Sequence, residues 1–283
     1  MKPAGPDILI TAATPIVWGT TYIVATQYLP EFSPIWVALL RALPAGIILM
    51  LMMRQLPKGE WWWRAAVLGT LNIGIFLTLL FIATYRLPGG VAATVISLQP
   101  LIVVILTLFL LPGTTKLVSI IAAITGLVGV ALLVLTSEAR LDTVGVIAGL
   151  GAAACMATGT ILTRKWLSPF SMLAMTGWQL TAGGLVILPF ALLFAPLPTS
   201  VSTTNILALL WLGIIGGALA YVFWFRGVKI LSPAAVSSLL FLSPLTAVIL
   251  GWMLLEESLT IYQVSGLAIV LASIYLSQRA ERS

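Results

Sequence analysis

One proline-bearing apolar stretch occurs twice in the chain, once in each half. Residues 87–106 and 231–250 align without a gap, and seven of the twenty aligned positions carry the same residue. Both copies place small residues before an aligned proline, which is Pro100 in the first copy and Pro244 in the second. Each copy is long and apolar enough to cross a membrane as a helix. Since a proline frees the carbonyl one turn earlier, we predict two related halves, each with one kinked membrane helix.

Apolar runs of similar length recur along the whole sequence. Charged residues make up 8% of the chain, against about 25% in soluble domains, and the mean hydropathy is +1.14. The first run lacks a cleavage site of small residues, so we interpret it as a retained helix and not a signal peptide. We therefore predict an all-α membrane protein with ten transmembrane helices near residues 7–27, 34–54, 63–84, 89–110, 116–135, 142–163, 170–194, 205–226, 233–253 and 260–278.

The basic residues indicate how these helices are oriented. With the N-terminus in the cytoplasm, eleven of the fourteen Lys and Arg residues fall on the cytoplasmic side, and only Arg86 and Arg140 fall outside. This bias is the usual signature of membrane orientation. It predicts that both termini are cytoplasmic, and it accounts for the net charge of +6 without a surface for nucleic acid.

Five spans in each half are an odd number, so corresponding helices must cross the membrane in opposite directions. We place the boundary at the polar connection between the fifth and sixth spans, which gives a first repeat of residues 1–138 and a second, inverted repeat of residues 139–283. Inverted repeats are typical of secondary transporters, whose substrate site lies near the middle of the membrane between the repeats. The expected architecture is one membrane domain in which both repeats surround a central cavity.

Two segments resemble a known transporter family. Residues 18–43 read WGTTYIVATQYLPEFSPIWVALLRAL, and residues 233–272 combine small residues, a proline, a glutamate pair and a glycine. The chain resembles the EamA-type drug/metabolite transporters and is most similar to exporters of amino acids, particularly aromatic ones. The resemblance implies ten helices in two bundles around a central cavity and efflux from the cytoplasm. Many relatives carry a Lys where this chain has Thr26, so the resemblance implies no role for a charged side chain at this position.

Polar and aromatic residues at mid-depth are the candidates for the wall of the cavity. Several are four residues apart and share a helix face, as Trp18 and Tyr22 do. Polar side chains inside a membrane face either other helices or a cavity, so ordinary packing is the alternative interpretation for each. We predict a mainly uncharged cavity lined by Trp18, Tyr22, Asn72, Phe76, Gln99, Trp178, Tyr221 and Ser243, with Pro100 and Pro244 as hinges.

Arg41 is the charged residue that the sequence places inside a span. It lies roughly 10 Å along its helix from the start at Pro34, at 1.5 Å per residue. A charge at that depth costs a few kcal/mol by insertion scales. The side chain could reach outward, bond to neighbouring carbonyls or face a wet cavity, and we favour a structural role.

The inverted repeat predicts a secondary transporter that works by alternating access, and the family resemblance implies that it exports amino acids, aromatic or otherwise apolar, across a bacterial-type inner membrane. The alternatives are a nucleotide-sugar or sugar-phosphate carrier of the same superfamily and a membrane subunit without transport activity. A chain without His has neither a metalloprotease motif nor a Ser-His pair, so we predict no enzyme and no cofactor. The single cysteine, Cys155, argues against a Cys-based metal site.

The expected partners are a small-molecule substrate and the lipid bilayer, without nucleic acid, and the expected assembly is a monomer or a weak homodimer. All eight acidic residues fall at span ends or in connections. A proton-driven transporter usually holds an ionisable carboxylate or His inside the membrane. We therefore predict transport without obligatory proton coupling, in which Glu256 and Glu257 are the acids best placed to overturn that expectation.

Overall fold

The computed structural model describes residues 5–87, 89–111, 116–134, 142–166, 168–254 and 260–282. Throughout those ranges the chain forms helices and no strand. By length and composition, nine segments of the described chain can cross a membrane, and a tenth apolar helix is somewhat shorter. The predicted all-α architecture, with ten transmembrane helices in two inverted five-helix repeats, is confirmed.

In the first repeat, two of the five spans are divided into shorter helices. The third span is interrupted by a π-helical segment, and the fourth is broken before its proline. The helices are α1 (Gly5–Tyr28), α2 (Pro34–Met53), α3 (Trp61–Gly69), a π segment (Thr70–Ile75), α4 (Phe76–Arg86), α5 (Gly89–Ile96), α6 (Gln99–Leu110) and α7 (Leu117–Val134).

The second repeat is divided in the corresponding spans. The eighth span again contains a π segment, and the ninth again changes helix type before its proline. The helices are α8 (Thr143–Lys165), α9 (Met172–Phe194), α10 (Thr203–Leu210), a π segment (Trp211–Leu219), α11 (Ala220–Ile230), α12 (Pro233–Ser238), a 3-10 turn (Leu239–Phe241), α13 (Leu242–Leu254) and α14 (Ile261–Arg282).

The interruptions occupy matching positions in the two repeats. The offset that pairs Leu87 with Leu231 also aligns α4 with α11 at both ends. The two π segments directly precede these helices and therefore end at equivalent positions. Pro100 stands in the first turn of α6, just after the break, and Pro244 stands in the first turn of α13. Because proline cannot donate to the preceding turn, α5 and α12 do not continue as regular α-helices through these points.

Helices α2 and α9, the second span of each repeat, pack on each other antiparallel. Gly46 faces Thr181, and earlier in α2 Leu43 faces Gly184. The approach is so close that a Cβ atom on Gly46 would lie 2.4 Å from the backbone nitrogen of Thr181. Small residues permit such contacts between membrane helices. Because α2 and α9 are equivalent helices of the two repeats, an inverted repeat requires them to run in opposite directions, as they do here.

Candidate functional site

A cavity lies near the middle of the bundle, between helices of both repeats. The space free of atoms there, which includes space open to the surroundings, is about 520 Å³. Its wall combines the broken fourth and ninth spans with α1, α2 and α4. Five of the eight side chains predicted from the sequence line it: Trp18, Tyr22, Phe76, Gln99 and Ser243.

Trp18 joins the cavity to a group of buried rings. Its indole nitrogen donates a hydrogen bond to the carbonyl of Gly216, at 2.9 Å. Its ring centroid lies 4.9 Å from that of Tyr221 and 5.4 Å from that of Trp224, and Tyr221 in turn stacks on Phe225. We call Trp18, Tyr221, Trp224 and Phe225 the aromatic cluster. The predicted residue Tyr221 therefore lies behind Trp18 and does not line the cavity itself.

The aromatic cluster occupies the part of the bundle between the cavity and the end of α11. At that end, Arg226 of α11 pairs with Asp7 in the first turn of α1, at 2.5 Å. One residue further along, Gly227 packs against Thr11 so closely that a Cβ atom would lie 2.2 Å from the Thr11 methyl carbon. The two repeats are thus in close contact on this side of the cavity.

Two polar groups of the wall, those of Gln99 and Ser243, come from helix starts near the two breaks. Gln99 opens α6, and its side-chain nitrogen is buried without a hydrogen-bond partner. Ser243 lies beside Pro244 near the start of α13, and its hydroxyl interacts with the hydroxyl of Tyr22. Breaking the helix before each proline therefore places an amide and a hydroxyl in the cavity wall.

Arg41 also lines the cavity, although we expected an uncharged wall and a structural arginine. The side chain is 1% exposed. It donates hydrogen bonds to the Thr21 hydroxyl, at 3.0 Å, and to the Gly216 carbonyl, at 3.1 Å. Its Nε has no partner, and the guanidinium lies 5.9 Å from the ring centroid of Phe81. None of the ion pairs in the described part of the chain includes Arg41.

Asn72 lies outside the cavity wall, in a polar contact between repeats. Its amide nitrogen donates to the side-chain oxygen of Gln179, at 2.8 Å, and to the Thr163 hydroxyl, at 3.3 Å. Gly159 of α8 makes room for it, since a Cβ atom there would lie 1.9 Å from the Asn72 oxygen. The Asn72 amide nitrogen therefore bonds to other helices, which is the alternative that the sequence left open, while its side-chain oxygen is buried without a hydrogen-bond partner.

Trp178 lies elsewhere as well, although it is next to Gln179 in the sequence. Its indole nitrogen donates to the backbone carbonyl of Gln55, in the connection after α2, at 2.6 Å. Its ring packs edge-on against Phe170, at 5.1 Å, near Trp61. Neighbouring residues on a helix point about 100° apart at 3.6 residues per turn, so these two side chains reach different surroundings.

Sequence reasoning also missed several lining residues. Thr21 and Ser97 line the wall, together with Leu80 and Ala93. Leu80 follows Phe76 by one helical turn and so shares its face. Ala93 precedes Ser97 by one turn and accepts its hydroxyl hydrogen bond, at 2.7 Å. Extending the prediction from Phe76 by one helical turn would have identified Leu80, whereas Ala93 lies one turn from Ser97, which was itself not predicted.

Comparison with known proteins gives consistent results. A model of the EamA-like transporter family matches residues 6–135 and 143–278. Protein PecM of Dickeya dadantii (strain 3937) is 48% identical, over 93% of this chain and 89% of that protein. The uncharacterized inner membrane transporter YedA of Escherichia coli (strain K12) is 27% identical, over 92% of this chain and 87% of that protein. A solved crystal structure shares the fold, with a TM-score of 0.81 at 20% identity, over 96% of this chain and 98% of that chain.

Proposed function

Because the chain belongs to the EamA-like transporter family, we propose that it exports amino acids with aromatic or other apolar side chains, and similar small metabolites, from the cytoplasm. One observation supports this proposal most directly. The cavity between the repeats combines aromatic faces with buried hydrogen-bonding groups. Sites for small molecules are usually apolar and carry a few polar groups that fix orientation. The protein is a multi-pass membrane protein, and we place it in the bacterial inner membrane, as the name of its Escherichia coli relative suggests.

The groups in the wall suit both parts of an apolar amino acid. Trp18 and Phe76 offer ring surfaces to the side chain, and Gln99 offers an unpartnered amide nitrogen. Acceptors for an ammonium group can come from the breaks. Pro100 and Pro244 cannot donate to the carbonyls of Ile96 and Leu240, and both of those residues line the cavity.

The arrangement of the repeats supports alternating access. The aromatic cluster and the Asp7–Arg226 ion pair hold the repeats together on one side of the cavity. In transporters with inverted repeats, one repeat moves against the other around a fixed central site. Matching breaks in both repeats offer places where such a movement can bend the helices.

We propose that both termini lie in the cytoplasm, as the distribution of basic residues predicts. Labelling with a membrane-impermeant thiol reagent tests this orientation in a variant that lacks Cys155. A cysteine at Glu31, in the exposed connection between α1 and α2, should react in intact cells. A cysteine at Lys58, in the exposed connection after α2, should react only after the cells are opened. The opposite pattern would contradict efflux in the proposed direction.

Facilitated export without obligatory proton coupling agrees with the acids that the structure describes. Asp7 pairs with Arg226, Glu60 with Arg64, and Asp142 with Arg86 at 3.6 Å, all at helix ends. Among the described side chains, no carboxylate lines the cavity. Glu138, Glu256 and Glu257 lie outside the described residues, so the expectation for Glu256 and Glu257 stays a prediction.

Counterflow in proteoliposomes tests the proposed function. Vesicles loaded with unlabelled phenylalanine should accumulate labelled phenylalanine and tryptophan at least tenfold faster than labelled lysine, because a mainly apolar wall disfavours the charged side chain of lysine. Adding a pH gradient should leave the final accumulation unchanged. Absence of counterflow for every apolar amino acid would refute the substrate class. Uphill accumulation driven by the pH gradient alone would refute uncoupled transport, and the Glu256→Gln and Glu257→Gln variants would then show which acid is responsible.

A further inference from the structure

We propose that Arg41 forms a carboxylate-binding subsite in the cavity wall, which selects substrates that carry one negatively charged group beside an apolar or aromatic group. This inference rests on the proposed function, because it names the charge that the transported molecule presents. Arg41 contributes the charge, and Gln99, from the broken fourth span of the same repeat, contributes a second donor in the wall.

The first argument is that three buried donor groups at or near Arg41 lack a hydrogen-bond partner. A guanidinium stays protonated and carries five N–H groups. Only neutral acceptors, the Thr21 hydroxyl and the Gly216 carbonyl, engage it, and its Nε has no partner. Gln99 Nε2 in the same wall and the Tyr221 hydroxyl behind Trp18 are also buried without a partner. A carboxylate, which offers only acceptors and carries the opposite charge to Arg41, would provide partners for these donors.

The second argument comes from comparing the two repeats. Counted from the start of its helix, Gln179 occupies in α9 the position that Arg41 occupies in α2. By the offset that aligns α4 with α11, Asn72 corresponds to Gly216. The Arg41 contact with the Gly216 carbonyl thus has a counterpart in the amide contact between Gln179 and Asn72.

The counterpart is neutral, and neither Gln179 nor Asn72 lines the cavity. The fold can therefore fill this position with an amide, so packing alone does not require a cation there. A buried charge without a counter-ion costs several kcal/mol in a protein. Of the two equivalent positions, the one that lines the cavity, Arg41, carries this cost, which a bound anion would offset.

The third argument concerns the number of negative charges that the ligand carries. No other basic side chain lines the cavity in the described part of the chain. One guanidinium matches a carboxylate, which it can bind through two parallel hydrogen bonds. A phosphomonoester carries a charge of about −1.5 to −2 at neutral pH, so part of that charge would stay uncompensated in the cavity. The single arginine therefore favours a monocarboxylate.

Isothermal titration calorimetry on the purified full-length protein in detergent tests the subsite with four phenyl compounds that differ in the charge of their polar group. The ligands are 3-phenylpropionate, 3-phenylpropionamide, phenethylamine and phenyl phosphate. We expect 3-phenylpropionate to bind at least tenfold more tightly than the amide, the amine and the phosphate, because bonds to charged partners are about twice as strong as neutral ones. The Arg41→Gln variant, which introduces the residue of the other repeat, should bind acid and amide equally well.

Two further variants serve as controls. Arg41→Lys keeps the charge but loses the planar fork, so it should retain part of the preference for the acid. Arg86→Gln removes the same charge from a half-exposed position at the end of α4, and it should bind all four ligands as the wild type does. The melting temperature of each variant, followed by size-exclusion chromatography after heating, shows whether it is folded.

The outcomes separate the subsite from transport. Failure of 3-phenylpropionate to bind, or equal binding of acid and amide by the wild-type protein, overturns the subsite without any variant. If phenyl phosphate binds more tightly than 3-phenylpropionate, the inference that the ligand carries a single negative charge is overturned. If the preference for the acid over the amide survives in Arg41→Gln, the role of Arg41 is overturned. Absence of counterflow with an intact acid preference refutes transport and leaves the subsite. Counterflow without an acid preference refutes the subsite and leaves transport.

Discussion

Replacing Trp18 with alanine should reduce the rate of counterflow more than tenfold. Trp18 lines the cavity, bonds to the Gly216 carbonyl and packs against Tyr221 and Trp224. Alanine removes the largest aromatic surface of the wall and leaves a void between the cavity and the aromatic cluster. A tenfold loss of rate corresponds to about 1.4 kcal/mol. Because a buried Trp→Ala change also costs about 3–5 kcal/mol of folding stability, the melting temperature is measured beside the rate.

Trp18→Phe separates contact with the substrate from packing. Phenylalanine keeps a ring beside Tyr221 but cannot donate to Gly216, which retains its bond from Arg41. We expect Trp18→Phe to be nearly as stable as the wild type and to transport phenylalanine within about threefold of its rate. Trp62→Ala is the matched control, since Trp62 is 57% exposed outside the cavity. Equal loss of transport and of melting temperature in all Trp18 variants would mean that Trp18 only packs.

The sequence predicted the spans and their breaks well because these depend on local properties. Hydropathy fixes the number of helices, and a proline without a donor interrupts its own helix whatever surrounds it. The candidates near the breaks, Gln99 and Ser243, lie in the cavity wall for the same reason. Trp18 and Tyr22 follow from their spacing on one helix face.

The remaining residues could not be placed because their surroundings come from distant parts of the chain. Asn72 is engaged by Gln179 and Thr163, which lie on other helices. Trp178 is turned toward Gln55 in a connection. A single sequence gives depth along a helix but not the rotation of that helix against its neighbours. The same limit applies to Arg41, whose depth was clear and whose orientation toward the cavity was not.

The π segments are a further feature that no local pattern indicated. They lie at matching positions in the third and eighth spans, and π-helical turns often occur at functional sites. Gly216, inside the second π segment, accepts hydrogen bonds from both Trp18 and Arg41. Two lining side chains are therefore fixed by one carbonyl of an irregular helix, which only the assembled bundle reveals.

Replacing Pro100 and Pro244 together with alanine should lower the turnover rate more than tenfold and raise the melting temperature. Each alanine restores an N–H group that can donate to the carbonyl of Ile96 or Leu240. Proline is about 3 kcal/mol less favourable than alanine inside a helix, so both changes favour continuous helices. If the breaks bend during transport, straightening them stabilises one conformation and slows its conversion to the other.

Gln99 and Ser243 adjoin the two prolines, so the double substitution can also alter the cavity wall. The affinity for 3-phenylpropionate is therefore measured by calorimetry in addition to the transport rate. A hinge predicts that turnover falls by a larger factor than affinity does. Pro189→Ala is the matched control, since Pro189 lies inside α9, which continues without a break, and this variant should transport at the wild-type rate. Unchanged turnover in the double variant would show that the breaks are static and serve only to place Gln99 and Ser243 in the wall of the cavity.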